Sequence, residues 1–421
     1  MSTTNQQKTA ARISSCRLCG NHDLASILDL GNQFLTGVFP EPSTAMDVAR
    51  GPLELVKCHG PESVCGLLQL AHTYPPEMMY GTTYGYRSGL NPLMVKHLVD
   101  LGADALSRVT LEEGDYAIDI GSNDGTLLNS FPNSLRLVGI DPSAGKFKDY
   151  YRPEVEIVTD FFSKASITRA IGDSKAKIIT SVAMMYDLDD PIEFASDIAS
   201  ILHTDGIWIF EQSYMPSMIT NNSFDTICHE HIEYYGLAQI VWMLSAAELK
   251  VVDVVLNSAN GGSLRVYACH KSSNAHKVTN AVGALTAKEV DGKFETLEPF
   301  HRFGRQVRKT GDDIREFLVS TRESGQREIG LGASTKGNVI LQYVGASREL
   351  ITEIGDVNPD KYGCVTPGSW IPIVPENTAL NENADVYLVL PWHFRSHFTT
   401  NERYRGRNLC FPLPSLETER L

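Results

Sequence analysis

The stretch "GDYAIDIGSNDGTLLNSF" constrains the fold most, because an apolar run ending at Ile120 breaks into a glycine turn and restarts at about Thr126 in a helix-compatible pattern. That is a strand, loop and helix in which Gly121 and Gly125 allow close backbone approach, while the loop amides and helix N-terminus offer donors. Twenty residues beyond Gly121, "LRLVGIDPS" closes a second apolar run with Asp141. An acidic residue there grips the two ribose hydroxyls of a dinucleotide or adenosyl cofactor.

Further strands are expected at 155–158, 177–182, 206–210, 251–256 and 264–268, with an amphipathic helix over 95–109. Strands alternating with helices give an α/β class, a doubly wound, Rossmann-like domain. The loop is not G-x-G-x-x-G, and Asn123 and Asp124 bring bulk and negative charge to where a diphosphate would lie. S-adenosylmethionine, a sulfonium without phosphates, suits it better, with Gly121, Asn123, Asp124, Gly125 and Asp141 as the cofactor-binding set. Capping of the next helix would equally explain Asp124.

A chain of 421 residues is long enough for two or three domains. Its net charge of -14 argues against broad binding to nucleic acid or anionic membrane and leaves room for a small anionic ligand. With a polar start, "MSTTNQQKTAARISS", and no apolar run of about 18 residues, the chain is expected to be cytoplasmic. Reduced thiols there favour metal ligation over disulfides. "CRLCG" and "CHGPESVCG" set Cys16, Cys19, Cys58 and Cys65 in two knuckles, each closed by Cys-Gly, as ligands of a structural zinc ion. The second knuckle is wider than usual, and His59 is an alternative to one sulfur.

A charged helical segment over 287–324 leads to "IGLGASTKGNVILQYVG", another strand, glycine turn and helix, here with a basic loop. Ser334, Thr335 and Lys336 are candidates to hold a phosphate, although the Walker spacing is absent. The expected domains are 1–75, zinc-binding; 76–285, the doubly wound domain that binds S-adenosylmethionine; and 286–421, Rossmann-like.

"CRLCG", "YGYRSG", "DIGSNDG", "GIDPS", "FEQSY", "DTICHEHIEYY", "NGGSLRVY", "GASTKGN" and "LPWHF" together resemble the zinc-containing sugar C-methyltransferases that act on nucleotide-linked deoxysugars. The resemblance spans nearly the whole chain. It implies a zinc domain, a central methyltransferase domain and a C-terminal Rossmann-like domain, with the sugar nucleotide held between the last two. It also implies that His231 is the base. Several relatives carry tyrosine where this chain has Cys228, and the effect of that difference on the choice of sugar is left undetermined.

The residues themselves agree. Carbon attacks a sulfonium only after losing a proton, and an adjacent keto group makes that loss feasible. A neutral imidazole at His231 suits the task; Glu230 is a candidate to orient it, and His229 and Tyr214 are candidate donors to the enolate oxygen. The same histidines and Glu230 or Glu233 read alternatively as a metal clasp, without the H-x-x-x-H spacing of zinc hydrolases. Tyr84, Arg87, Asn260 and Arg265 are further substrate candidates; a linker explains the first pair equally well, and a hairpin turn the second. Two other functions stay open: a nicotinamide-dependent oxidoreductase using "GLGASTKG", against which no acidic residue is read at the end of the following strand, and a non-catalytic zinc-knuckle binding protein. The nucleobase, the deoxysugar, the methylated carbon and the oligomeric state are left undetermined.

Overall fold

In the computed structural model, which describes residues 10–60, 64–75, 79, 86–382 and 384–421, three large sheets and a two-stranded pair, Ala11–Arg12 with His72–Thr73, carry the chain. The central sheet has seven strands, in the order Leu249–Asn257, Ser263–His270, Leu202–Ser213, Ala176–Val182, Tyr116–Ile120, Arg136–Ile140 and Glu156–Val158. The last five are parallel and the first two pair antiparallel. Strand order therefore reverses between Tyr116–Ile120 and Ala176–Val182, and a doubly wound sheet opens a ligand crevice at that point, at the carboxyl ends of its strands. Two non-glycine residues in left-handed conformation flank the crevice, Asn123 at φ 50° and Ala183 at φ 55°. Such backbone is costly and concentrates at functional sites.

The strands agree closely with the expectation; the helix at Thr126 does not. Only a 3-10 turn, Leu128–Ser130, follows the glycine loop. The charged segment over 287–324 is likewise two helices, Asn280–Asp291 and Glu298–Glu323. The first packs on the central sheet and crosses the expected 285/286 boundary.

The C-terminal sheet runs Ile373–Pro375, Ile354–Asp356, Glu328–Leu331, Val386–Val389, Asn408–Phe411 and Glu417–Arg420, parallel except for the last strand. In chain order this is 3-2-1-4-5-6, so its switch point falls between Glu328–Leu331 and Val386–Val389. The loops "GASTK" and "LPWHF" both begin there. Ser334 caps the helix Thr335–Tyr343, its hydroxyl accepting from the Gly337 N–H.

The N-terminal sheet has four antiparallel strands, Leu24–Phe34, Arg50–Cys58, Leu68–Leu70 and, from far along the chain, Glu233–Tyr234. Its apolar face and that of the C-terminal sheet belong to one continuous core. The helix Glu298–Glu323 joins them: Phe300, Phe303, Val307, Ile314 and Leu318 recur with helical period along its buried stripe. Gly304 lets it approach closely, since a Cβ there would lie 2.7 Å from the Ile27 carbonyl oxygen. Among the described residues, no helix is long and apolar enough to cross a membrane.

Candidate active site and zinc centre

The four cysteines expected to bind zinc come together. Their sulfurs lie within 4.8 Å of one another, with Cys16 to Cys65 and Cys19 to Cys58 both at 3.5 Å. A tetrahedron with Zn–S of about 2.3 Å has sulfur edges of about 3.8 Å, so the residues fit the ion. Gly20 at φ 72° and Gly66 at φ 70° turn the two knuckles in a conformation that side chains disfavour. N–H donors face three of the sulfurs: Gln69 Nε2 to Cys16 at 3.1 Å, Asn21 Nδ2 to Cys58 at 3.3 Å, and the Leu67 amide to Cys65 at 3.4 Å. Such donors delocalise thiolate charge. His59 is not part of the cluster.

In the central crevice, Asp141 ends its strand as expected. Its Oδ2 accepts from the Asn123 amide at 3.0 Å, and its Oδ1 from the Ser143 amide and hydroxyl, both at 2.6 Å. Gly121, at φ 73°, faces Met184 across the crevice. Gly125 differs from expectation: a Cβ there would meet the Tyr151 ring at 2.6 Å, so it makes room for an aromatic ring. The side chains of Asn123 and Asp124 are turned to the chain itself, accepting from the Ser88 and Gly89 amides at 2.9 Å each. Asp124 also caps the turn at Thr126, and Arg87 lies 3.7 Å from it and over the Tyr150 ring. The segment around Arg87 is thereby clasped onto the glycine loop. Tyr84 lies outside the described residues.

The histidine loop begins against the helix Thr335–Tyr343 and ends in the fourth strand of the N-terminal sheet. His231 Nδ1 is 2.9 Å from the Thr226 carbonyl oxygen, so Nδ1–H donates there and Nε2 keeps its lone pair. Burial, with a smaller contribution from Lys336, pushes its pKa down to about 4, so the ring is neutral at physiological pH. The Tyr186 ring packs on it at 4.2 Å. Glu230 is not bonded to His231: its carboxyl lies against Gly37 and near Thr335, and its pKa is raised by burial. His229 does not face the same site. It is buried against the N-terminal sheet, with Nε2 3.3 Å from the Gly51 carbonyl oxygen and its ring edge-on to Tyr74. Tyr214 also departs from the donor role, because its hydroxyl donates to Glu289 at 2.7 Å within the core. The metal clasp is absent too: among the described residues only the four cysteines form such a group.

The C-terminal wall brings Lys336 to this loop. Its Nζ donates to the Asn260 carbonyl oxygen at 2.6 Å, and its charge acts on Asp225, His231 and His393. Asn260, at φ 54°, thus contributes its backbone, in the hairpin turn that joins the two antiparallel strands. Arg265 is withdrawn from the cleft, its Nε on Glu211 at 2.8 Å, where His97 and Asn257 also bind. Asp225 is fully buried and accepts from Trp392 Nε1 at 2.7 Å.

Four relevant residues escaped sequence reasoning. Tyr186 follows a strand next to the switch point, and His393 and Trp392 sit in "LPWHF" at the second one, so edge position was the available signal. Asp356 also ends the strand Ile354–Asp356, which corrects the expectation that no acidic residue stands there. The turn residues "NPD" that follow it had masked so short a strand.

Family models match three successive parts of the chain. A family model described as "C-methyltransferase C-terminal domain" matches residues 258–414, "Putative zinc binding domain" matches 16–80, and "Methyltransferase domain" matches 94–254. C-methyltransferase NovU of Streptomyces niveus is 28% identical over 410 residues, covering 96% of each chain. Among solved structures, the mitomycin 7-O-methyltransferase MmcR is 14% identical at a TM-score of 0.34, over 43% of this chain and 55% of that one. The magnesium protoporphyrin IX methyltransferase ChlM from Synechocystis PCC 6803, with bound SAM, is 14% identical at a TM-score of 0.30, over 42% and 78%. Putative zinc-binding, methyltransferase and C-methyltransferase C-terminal domains are thus matched in turn along the chain, and with the likeness to NovU they support an S-adenosylmethionine-dependent C-methyltransferase.

Proposed function

We propose that the enzyme methylates a carbon next to the keto group of a nucleotide-linked deoxysugar, with His231 as the base that forms the enolate. The observation that carries this reading is the state of His231: a neutral imidazole, its Nδ1 tied to the Thr226 carbonyl, its Nε2 free of that bond, and a cationic lysine from the C-terminal wall beside it. Bound in the central crevice with Asp141 on its ribose, S-adenosylmethionine supplies the electrophilic methyl group.

Nε2 of His231 takes the proton from carbon, and the electron pair left behind delocalises onto the keto oxygen. Lys336 and the amides at the start of Thr335–Tyr343 hold the diphosphate, as a helix N-terminus with a lysine suits. Asp356 stands where this strand order places a ribose-binding carboxylate, so the substrate's nucleoside is assigned to the edge beside it. Tyr186 shields the imidazole from water on one side. The reduced zinc thiolates and the absence of a basic surface charge fit an enzyme of the cytoplasm that handles small anionic substrates.

Incubation with candidate nucleotide-linked keto-sugars and S-adenosylmethionine, read by mass, gives a product heavier by one methyl group. His231→Ala binds both ligands yet turns over roughly two to four orders of magnitude more slowly. With an inert cofactor analogue bound, wild type exchanges the acidic substrate proton with heavy water and the variant does not. Exchange at the wild-type rate in His231→Ala removes His231 from the role.

A further inference from the structure

The zinc cluster and the catalytic loop are joined by a buried polar chain that the reaction as described does not use. Glu233 is fully buried two residues after His231, and the two line one small cavity of about 10 Å³ with Tyr186, Ser213 and Thr226. That volume holds about one water. One carboxyl oxygen of Glu233 accepts from the Tyr235 hydroxyl, while Oε1 has no partner among the described residues. Glu233 stands directly opposite Gln69 in the antiparallel pair Glu233–Tyr234 and Leu68–Leu70, so both side chains leave the same face of the sheet.

Gln69 is buried as well. Its Nε2 donates to the Cys16 sulfur at 3.1 Å, and its Oε1 accepts from the backbone and guanidinium of Arg17, at 3.2 and 3.3 Å. Arg17 lies within the first knuckle and reaches Leu70 O at 2.7 Å and Asp189 at 2.9 Å. The backbone repeats the connection: the Leu70 amide donates to Ile232 O, and the Ile232 amide to Tyr186 O, both at 2.8 Å. A line of hydrogen bonds therefore runs from a zinc ligand through Gln69, Arg17 and Leu70 to the backbone of Ile232, the residue after His231, and on to the carbonyl of Tyr186, while Glu233 joins it through its strand pairing opposite Gln69.

We propose that Gln69 and Glu233 are positioning residues that make the zinc module the fixed support of the catalytic loop, setting where the His231 imidazole lies. This rests on the base assignment above. Burial pushes the Glu233 carboxyl up to about 8, so it is mostly neutral at pH 7, where glutamine is its close replica in shape and hydrogen bonding. A positioning role consequently tolerates Glu233→Gln, and a proton-carrying role does not.

The test uses the full-length, zinc-loaded enzyme. Glu233→Leu is expected to lower kcat roughly 10- to 100-fold, the scale of a misplacement of about 1 Å, with KM and S-adenosylmethionine affinity within about twofold of wild type. Glu233→Gln restores kcat to within about threefold. Gln69→Leu lowers kcat similarly and also speeds zinc release to a colorimetric chelator by roughly tenfold, as loss of a hydrogen bond to a ligand does. If Glu233→Leu does not fold, Gln69→Leu at the other end of the chain carries the same test. Wild-type kcat in either folded leucine variant, or equal damage from Glu233→Gln and Glu233→Leu, overturns the proposal. His231→Ala run alongside separates the two readings: if it is inactive while both leucine variants are fully active, only the positioning link fails.

Discussion

Replacing Lys336 with methionine keeps most of the unbranched side chain and removes its charge, and the structure sets the size of the effect. The ammonium donates at 2.6 Å to the Asn260 carbonyl oxygen, in a hairpin turn that is only partly buried, so that oxygen can turn to water once the lysine is gone. The folded enzyme therefore loses little. What is lost is a charge-assisted contact to an anionic substrate, worth about 1.5–3 kcal/mol, which corresponds to roughly 10- to 150-fold in Kd. Lys336 also depresses the pKa of His231, so the variant's imidazole is expected to titrate above the value of about 4 in wild type. Calorimetry with a nucleoside diphosphate and, separately, with S-adenosylhomocysteine measures the first effect, and histidine NMR against pH the second. Cofactor affinity should stay within about twofold if, as proposed, that ligand binds at the other switch point. Equal weakening of both ligands would refute the division of the site between two sheets. Unchanged diphosphate affinity would remove Lys336 from substrate binding.

Three further outcomes are expected. Asp141→Ala abolishes measurable cofactor binding in calorimetry while far-UV dichroism stays unchanged; binding as tight as wild type would place the ribose elsewhere. Trp392→Phe removes the indole donor to buried Asp225, whose other oxygen already lacks a partner, and lowers stability by about 1–3 kcal/mol in urea unfolding; a change near zero means that water replaces the indole. His229 has its pKa pushed down to about 4 by burial, so between about pH 6.5 and 4 the unfolded chain takes up a proton that the folded one refuses, and stability falls as pH falls. From pH 7 to 5 that contribution is roughly 2 kcal/mol, and His229→Asn should show a correspondingly shallower loss; identical slopes would contradict it.

Local pattern was enough for the strands of the central sheet, apolar runs bounded by turn residues, and for the cysteine cluster, since the Cys-Gly pairs fix the knuckles. Residues whose role depends on direction were not legible. Tyr214 and His229 stand beside the right motif, yet each points into a core: one hydroxyl finds Glu289, 75 residues later, and one ring finds Gly51, 178 residues earlier. Arg265 alternates to the face of its strand where Glu211 and His97 wait. No spacing rule encodes such distant partners. Glu233 shows the converse: two residues after His231 it reads as part of a metal clasp, whereas in the fold it is a buried carboxyl paired opposite Gln69.

The core shared by the first and last sheets has a consequence for synthesis on the ribosome. Ile27 and Leu28 leave the exit tunnel long before Phe300 to Leu318, the stripe against which they pack, and the zinc module's fourth strand arrives only with Glu233. At about 5–20 residues per second the interval is on the order of tens of seconds, during which the nascent module carries an open sheet edge and an uncovered apolar face. Early metal capture by the two knuckles would hold that unfinished sheet in register, so an organism starved of zinc would lose this enzyme first as aggregating nascent chains rather than as an inactive mature protein.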